Sequence, residues 1–267
     1  MDRALRAEYL RTLGIDVWVP RREIAGSSNP GPSEAPAPEG PGAGWVEHKI
    51  AGSDFGRREA SAPQGRDPGW VEQWELLRAD VMRCTRCSLH AGRTQGVVGV
   101  GNPRAEWMVI GEAPGAEEDR RGEPFVGRAG QLLDAMLRAI GLSRAQNVYI
   151  ANVLKSRPPN NRDPRPEEVA ACLPYLRRQI ELVRPRLLLA VGRIAAQNLL
   201  GTEESLSRLR GRVHRFGELN TPLVVTYHPA YLLRNPADKR KAWEDLKFAR
   251  SVFRQLTADV TDDGHCS

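Results

Sequence analysis

Four short, unbroken apolar runs set among amphipathic helices constrain this chain more than any other feature. Trp107–Gly111, Val148–Val153, Leu187–Val191 and Leu223–Tyr227 are of strand length and carry almost no polar residue. The stretches around them repeat their apolar residues at helical spacing. Arg128–Ile140 places them at 129, 132, 133, 136, 137 and 140, and Pro166–Arg184 lines up Val169, Cys172, Leu173, Leu176, Ile180 and Val183 behind a first-turn proline. Trp70–Cys84, Arg193–Leu200 and Ala237–Leu256 read as further helices, the last presenting Trp243, Leu246, Ala249, Phe253 and Leu256. Strands that are apolar on both faces must be covered on both faces. The pattern therefore predicts an α/β fold, a three-layer αβα sandwich around a central, mostly parallel, four-stranded sheet. Ligands of such sheets bind beyond the carboxyl ends of the strands, so chemistry is expected in the loops after the first, second and fourth runs.

The remainder of the chain reads differently. Residues 25–69 hold 7 of the 20 prolines and 9 of the 25 glycines and show no apolar periodicity. A Pro/Gly/Ala-rich segment of this kind cannot bury enough side chain to offset its ordering entropy, and it is expected to be a disordered linker. Residues 1–24 are expected to form a short helical and extended element, with Leu5, Tyr9, Leu10 and Leu13 on one helical face. Residues 257–267 read as a flexible tail, leaving 70–256 as the working domain. The net charge of +6 conceals a division, because residues 70–256 carry 30 basic and 20 acidic side chains while the two ends carry 9 and 13. A body at +10 suits a polyanionic partner, and its basic residues are nearly all arginine, whose planar fork suits phosphate. A GC-rich genome is the competing explanation for the arginine bias. The longest apolar run is far too short for a membrane span, and the basic N-terminus lacks a signal-peptide core, so a cytoplasmic monomer is expected.

The three loops carry specific residues. After the first run come Glu112-Ala113-Pro114-Gly115, the acids Glu117, Glu118 and Asp119, and then Pro124-Phe125-Val126-Gly127. After the second come Asn152, Lys155-Ser156-Arg157-Pro158-Pro159 and Arg162; after the fourth, His228-Pro229-Ala230-Tyr231-Leu232-Leu233-Arg234. The first loop lacks the GxGxxG spacing of a dinucleotide site. The set, from about Cys84 to Leu256, resembles the family 4 uracil-DNA glycosylases, the iron–sulfur branch of that superfamily.

The resemblance implies a monofunctional enzyme that hydrolyses the N-glycosidic bond of uracil in single- or double-stranded DNA and so starts base-excision repair. A buried base must first be flipped out of the duplex. The resemblance makes Phe125 the surface on which uracil stacks, with Ala113 and Pro114 lining the pocket. It makes Asn152 the reader of the base edge: its amide can accept from N3–H and donate to O4, where cytosine presents the opposite pattern. His228 would meet the charge that develops on O2. Glu112 is assigned by position to hold the attacking water, with Glu118 and Asp119 as rivals, and Glu118 is expected to wall the pocket near C5 against a thymine methyl. Lys155, Arg157 and Arg162 are expected phosphate contacts, and Leu232, Leu233 and Arg234 an expected wedge for the emptied stack. Each has a plainer alternative: a core phenylalanine, a structural amide or histidine, a leucine pair packed under its loop, a solvated basic loop.

The same resemblance implies a structural [4Fe–4S] cluster on four cysteines, with no cofactor needed for bond cleavage. Cys84, Cys87 and Cys172 stand at three of the positions, but the fourth is Ser156, a poor substitute for a thiolate. A cluster with Ser156 or water on one iron, recruitment of Cys266, absence of a cluster, and zinc with His90 all stay open. Rival functions are a glycosylase for hypoxanthine or xanthine, a catalytically silent DNA-binding homologue, and an electron-transfer module that would leave the Asn152 and His228 loops without a task. Residues 1–24 are expected to recruit a repair or replication protein.

Overall fold

The structure, a computed structural model, describes residues 69–258. The expected elements at 1–24, most of the linker at 25–69, and Cys266 lie outside these residues. In chain order the described elements are α1 (Trp70–Arg83), β1 (Val100–Gly101), β2 (Trp107–Gly111), α2 (Ala116–Arg121), α3 (Arg128–Ala139), β3 (Val148–Asn152), α4 (Pro166–Val183), β4 (Leu187–Val191), α5 (Arg193–Leu200), α6 (Leu206–Leu209), β5 (His214–Phe216), β6 (Thr221–Thr226), α7 (Pro229–Arg234) and α8 (Lys239–Ala258).

The sheet has six strands, in the order β1-β3-β2-β4-β6-β5, rather than the four expected. The four apolar runs are its parallel centre. The two further strands pair antiparallel at the edges, β1 on β3 and β5 on β6. They were not legible because an edge strand of two or three residues, with one face open to water, needs no apolar run.

Side-chain alternation divides each central strand between two cores. Trp107, Val109, Val148, Ile150, Leu187, Leu189 and Val224 face α3 and α8 through Leu133, Met136, Leu137, Trp243 and Leu246. Met108, Ile110, Tyr149, Ala151, Leu188, Ala190 and Val225 face α4 and α5 through Cys172, Leu176, Ile180, Ala195 and Leu199. Each large apolar side chain buried this way contributes about 1.5–3 kcal/mol, so the strand runs are apolar because both sides are core. The register sets Gly111 opposite Asn152, and Val191 opposite Thr226. The carboxyl ends of the parallel strands therefore lie level. The chain goes from β2 to β3 on one side and to β4 on the other, so the switch point of the sheet lies at β2, and ligands of such sheets bind beyond the carboxyl ends there.

Candidate active site

Three of the four parallel strands lead into a candidate residue at this end of the sheet. Asn152 is the last residue of β3, 2% exposed, and its Oδ1 has no hydrogen-bond partner. A buried amide oxygen without a partner costs about 1–3 kcal/mol, an expense that structure alone gives no reason to keep. Phe125 lies in the turn between α2 and α3 with φ at +55°, a left-handed conformation that a side chain of this bulk seldom adopts. Gly111 at the end of β2 lets these two meet: a Cβ there would collide with both the Asn152 Oδ1 and the Phe125 ring edge.

His228 follows β6 and forms the N-cap of α7. Its Nδ1 accepts from the Ala230 amide at 3.1 Å, which leaves the proton of the neutral ring on Nε2. Burial, reinforced by the positive charge of Arg234 and opposed by Glu118, pushes its pKa down to about 4, so the ring is neutral at physiological pH. The His228 ring stands 5.6 Å from that of Phe125, tilted by 32°. Gly192, at φ +100° after β4, has no room for a side chain because His228 Cβ would lie 2.9 Å from it.

Glu112, partly buried directly after β2, has its pKa pushed up to about 7, mainly by burial, with the charge of Asp163 adding and Arg193 opposing. Asp163 and Arg193 are themselves paired at 3.1 Å. Neither was singled out from the sequence, because nothing in it says that the loop after β3 and the start of α5 converge on Glu112. Ala113 packs partly buried against the core and Pro114 is buried. The rival acids are occupied elsewhere. Asp119 is buried and accepts from the amides of Thr94 and Gln95. Glu118 Oε1 accepts from the amides of Val126 and Gly127, at 3.0 and 3.3 Å, and so holds the Phe125 turn and the first turn of α3.

The expected DNA contacts separate into two groups. Lys155 is no surface phosphate ligand: it is 1% exposed, and its Nζ donates to the Asn152 carbonyl at 2.7 Å and to Gln179 Oε1 at 2.6 Å. Burial pushes its pKa down to about 7. Leu232 is no wedge, being fully buried in the core beneath α7, where α3 packs. Both were misjudged for the same reason, since position in a loop does not say which way a side chain turns. Leu233 packs partly buried beside Leu232, while Arg234 is exposed. Arg157 donates to Asn161 Oδ1, and Arg162 forms a two-pronged pair with the buried carboxylate of Glu168 at the start of α4.

On the other side of the loop after β3 lie the cysteines. Cys84 ends α1, Cys87 precedes a short turn at Ser88–Ala91, and Cys172 is buried on α4. Burial raises the Cys172 pKa, Lys155 opposes, and the nearby Cys87 and Cys84 raise it further. Ser156 Oγ accepts from Arg93 Nη1 at 2.8 Å, and Arg93 Nη2 donates to the Met82 carbonyl at 2.6 Å. By residue type, three of the four positions offer a thiol, and the fourth offers only a hydroxyl already engaged by a guanidinium. Among the described residues no group of three or more His, Cys, Asp or Glu is gathered to hold a metal ion. His90, the candidate fourth ligand for zinc, has its Nδ1 2.7 Å from the Cys87 carbonyl.

Comparison with known proteins adds the following. The family model for the uracil DNA glycosylase superfamily matches residues 98–247. A type-4 uracil-DNA glycosylase of Archaeoglobus fulgidus is 49% identical over 175 residues, 63% of this chain and 87% of the relative. One from Thermotoga maritima is 43% identical over 185 residues, 68% of this chain and 95% of the relative. A type-5 uracil-DNA glycosylase of Thermus thermophilus is 34% identical over 149 residues, 49% of this chain and 68% of the relative.

Proposed function

Because this chain belongs to the uracil DNA glycosylase superfamily, and within it to the type-4 enzymes, we propose that the region beyond the carboxyl ends of β2, β3 and β6 is where it removes uracil from DNA. The enzyme is a uracil-DNA glycosylase, a hydrolase of DNA repair, and DNA is its substrate. Among the described residues no helix is long and apolar enough to cross a membrane.

The observation that carries the site assignment is the buried Asn152 Oδ1 without a partner. Uracil flipped into this site stacks on Phe125 and supplies the missing donor from N3–H, while the amide nitrogen donates to O4. Cytosine, with an acceptor at N3 and a donor at C4, would leave both groups unpaired. His228, neutral and with its proton on Nε2, donates to O2 as the bond from C1′ to N1 breaks and the electron pair departs with the base. Its neutrality matters, because the site must favour charge that appears only in the transition state. Glu112 holds the water that adds to C1′ and takes its proton, so the products are an abasic site and free uracil. Ala113 and Pro114 line the sugar side of the pocket. Glu118, besides holding the Phe125 turn, is the wall proposed near uracil C5.

The iron–sulfur cluster that the type-4 resemblance implies would be held by Cys84, Cys87 and Cys172, with Ser156 at the fourth position. When bound it supplies bracing for the surrounding loops and takes no part in bond cleavage. Arg157, Arg162 and Arg234 are the proposed phosphate contacts and Leu233 the proposed wedge. Residues 1–24, tethered through 25–69 to the working domain at 70–256, are proposed to recruit a repair or replication protein.

The direct test is release of uracil from a single-uracil oligonucleotide, run beside oligonucleotides carrying hypoxanthine and xanthine, with Asn152→Ala as control. Abasic product from the uracil strand, and little from the others, is expected. Binding with steep salt dependence but no product would make the protein a silent DNA-binding homologue.

A further inference from the structure

The turn that carries Phe125 is gripped from both sides. Its amides, at Val126 and Gly127, are held by Glu118 Oε1. Its carbonyls are held by a residue far along the chain: Arg144, in the loop before β3, donates from Nη2 to the Phe125 oxygen at 2.9 Å and from Nη1 to the Pro124 oxygen at 3.3 Å. The guanidinium is aimed by a third bond, Nε to Asp134 Oδ1 on α3 at 2.8 Å. One planar cation thus spans two successive carbonyls and a carboxylate, and lysine, with a single nitrogen on a flexible stem, could not do all three. The residue so held has φ +55°. A phenylalanine keeps such a conformation only where its surroundings over-determine it.

We propose that Arg144, aimed by Asp134, is a positioning residue for base recognition. It fixes the main chain of Phe125 in the left-handed conformation that sets the ring beside Asn152 and His228. It touches neither the base nor the scissile bond. The inference rests on the reading of Phe125 as the stacking surface for uracil. An aromatic platform that is fixed beforehand spends no binding energy on being ordered when the base arrives. Arg144 therefore acts on capture of the flipped base and leaves binding of the DNA backbone alone.

The test measures inhibition by free uracil, single-turnover excision, binding to undamaged duplex and melting temperature. The variants are Arg144→Ala, Arg144→Lys, Asp134→Asn, Phe125→Ala and the Phe125→Ala/Arg144→Ala double. Phe125→Ala and Arg144→Ala are each expected to weaken uracil inhibition about tenfold, and Arg144→Lys to recover only part of the loss. Asp134→Asn should weaken it about two- to threefold, and affinity for undamaged duplex should not change. In the Phe125→Ala background, Arg144→Ala should add nothing, because a residue that acts only through the ring has no effect once the ring is gone. A general stability role predicts the reverse: losses that add in the double variant and follow the melting temperature. Unchanged inhibition in Phe125→Ala removes the stacking reading and this inference with it. Weakened inhibition in Phe125→Ala with wild-type inhibition in Arg144→Ala overturns the inference alone. If Arg144→Ala does not fold, Arg144→Lys and Asp134→Asn decide on the same readouts, wild-type uracil inhibition in both counting against the proposal.

Discussion

Asn152 and Lys155 are three residues apart, and their side chains meet opposite treatment. At the pocket, Asn152 is buried with a side-chain oxygen, Oδ1, that bonds to nothing, although its main-chain oxygen accepts from Lys155. At the cysteine side, Lys155 is buried with its ammonium on two oxygens, Gln179 passes that connection on to the Val98 carbonyl, and Ser156 is held by Arg93. Burial of a polar atom is unfavourable unless it is matched. Lys155, Gln179 and Ser156 therefore match their polar atoms internally, while Asn152 leaves an acceptor waiting. The indole nitrogens of Trp74 and Trp107 are also buried without partners, but only Asn152 Oδ1 of the three stands against Phe125 at the carboxyl ends of the strands, where the proposed uracil would complete it.

The largest expected effect comes from removing the unmatched group. Asn152→Ala should lower single-turnover excision by about 100-fold or more, with a melting temperature close to wild type, since Oδ1 gives up no bond in the free protein. A large fall in melting temperature would show that the amide is structural after all.

Lys155→Met probes the matched side. It strips a donor from the Asn152 carbonyl and from Gln179, and about 2–4 kcal/mol of stability should be lost. Binding to undamaged duplex should keep its salt slope; a slope smaller by about one would return Lys155 to the phosphate contacts.

Acidity tests the pocket from another direction. In its proposed role Glu112 must be ionised to hold and deprotonate water, so kcat/KM should rise as pH increases through about 7, the value to which burial pushes this carboxyl in the free protein. His228, at about 4, is already neutral across that range and does not contribute the limb. Asp163 raises Glu112, so Asp163→Asn should move the limb to lower pH, and Arg193→Gln should move it higher. A pH–rate profile insensitive to both would detach Glu112 from the chemistry.

The smallest effects are expected at the fourth cluster position. Arg93→Ala loses bonds to Ser156 and Met82 and should lower the melting temperature by about 2–8 °C, with excision nearly unchanged. Ser156→Cys supplies the missing thiol and should raise the iron retained per chain after anaerobic purification. Equal iron in wild type and variant would mean that the hydroxyl serves as well as a thiol.

The sequence by itself determined the layers. Trp107–Gly111 and Leu187–Val191 are strands because residues that are apolar on both faces have nowhere else to go, and Arg128–Ala139 is a helix because its period fits only that. It also determined which residues are chemically unusual: Asn152 at the end of an apolar run, His228 before a proline, Phe125 in a turn. What it could not contain was direction. Lys155 and Leu232 sit in loops of the expected composition, yet both turn inward, and Glu118 and Asp119 accept from main-chain amides that no local pattern announces. Arg144, Asp163 and Arg193 carry no motif at all, because each acts on a residue distant in the chain. A side chain's orientation depends on what packs against it from other elements, and that information is absent from local pattern until the sheet has brought the loops together.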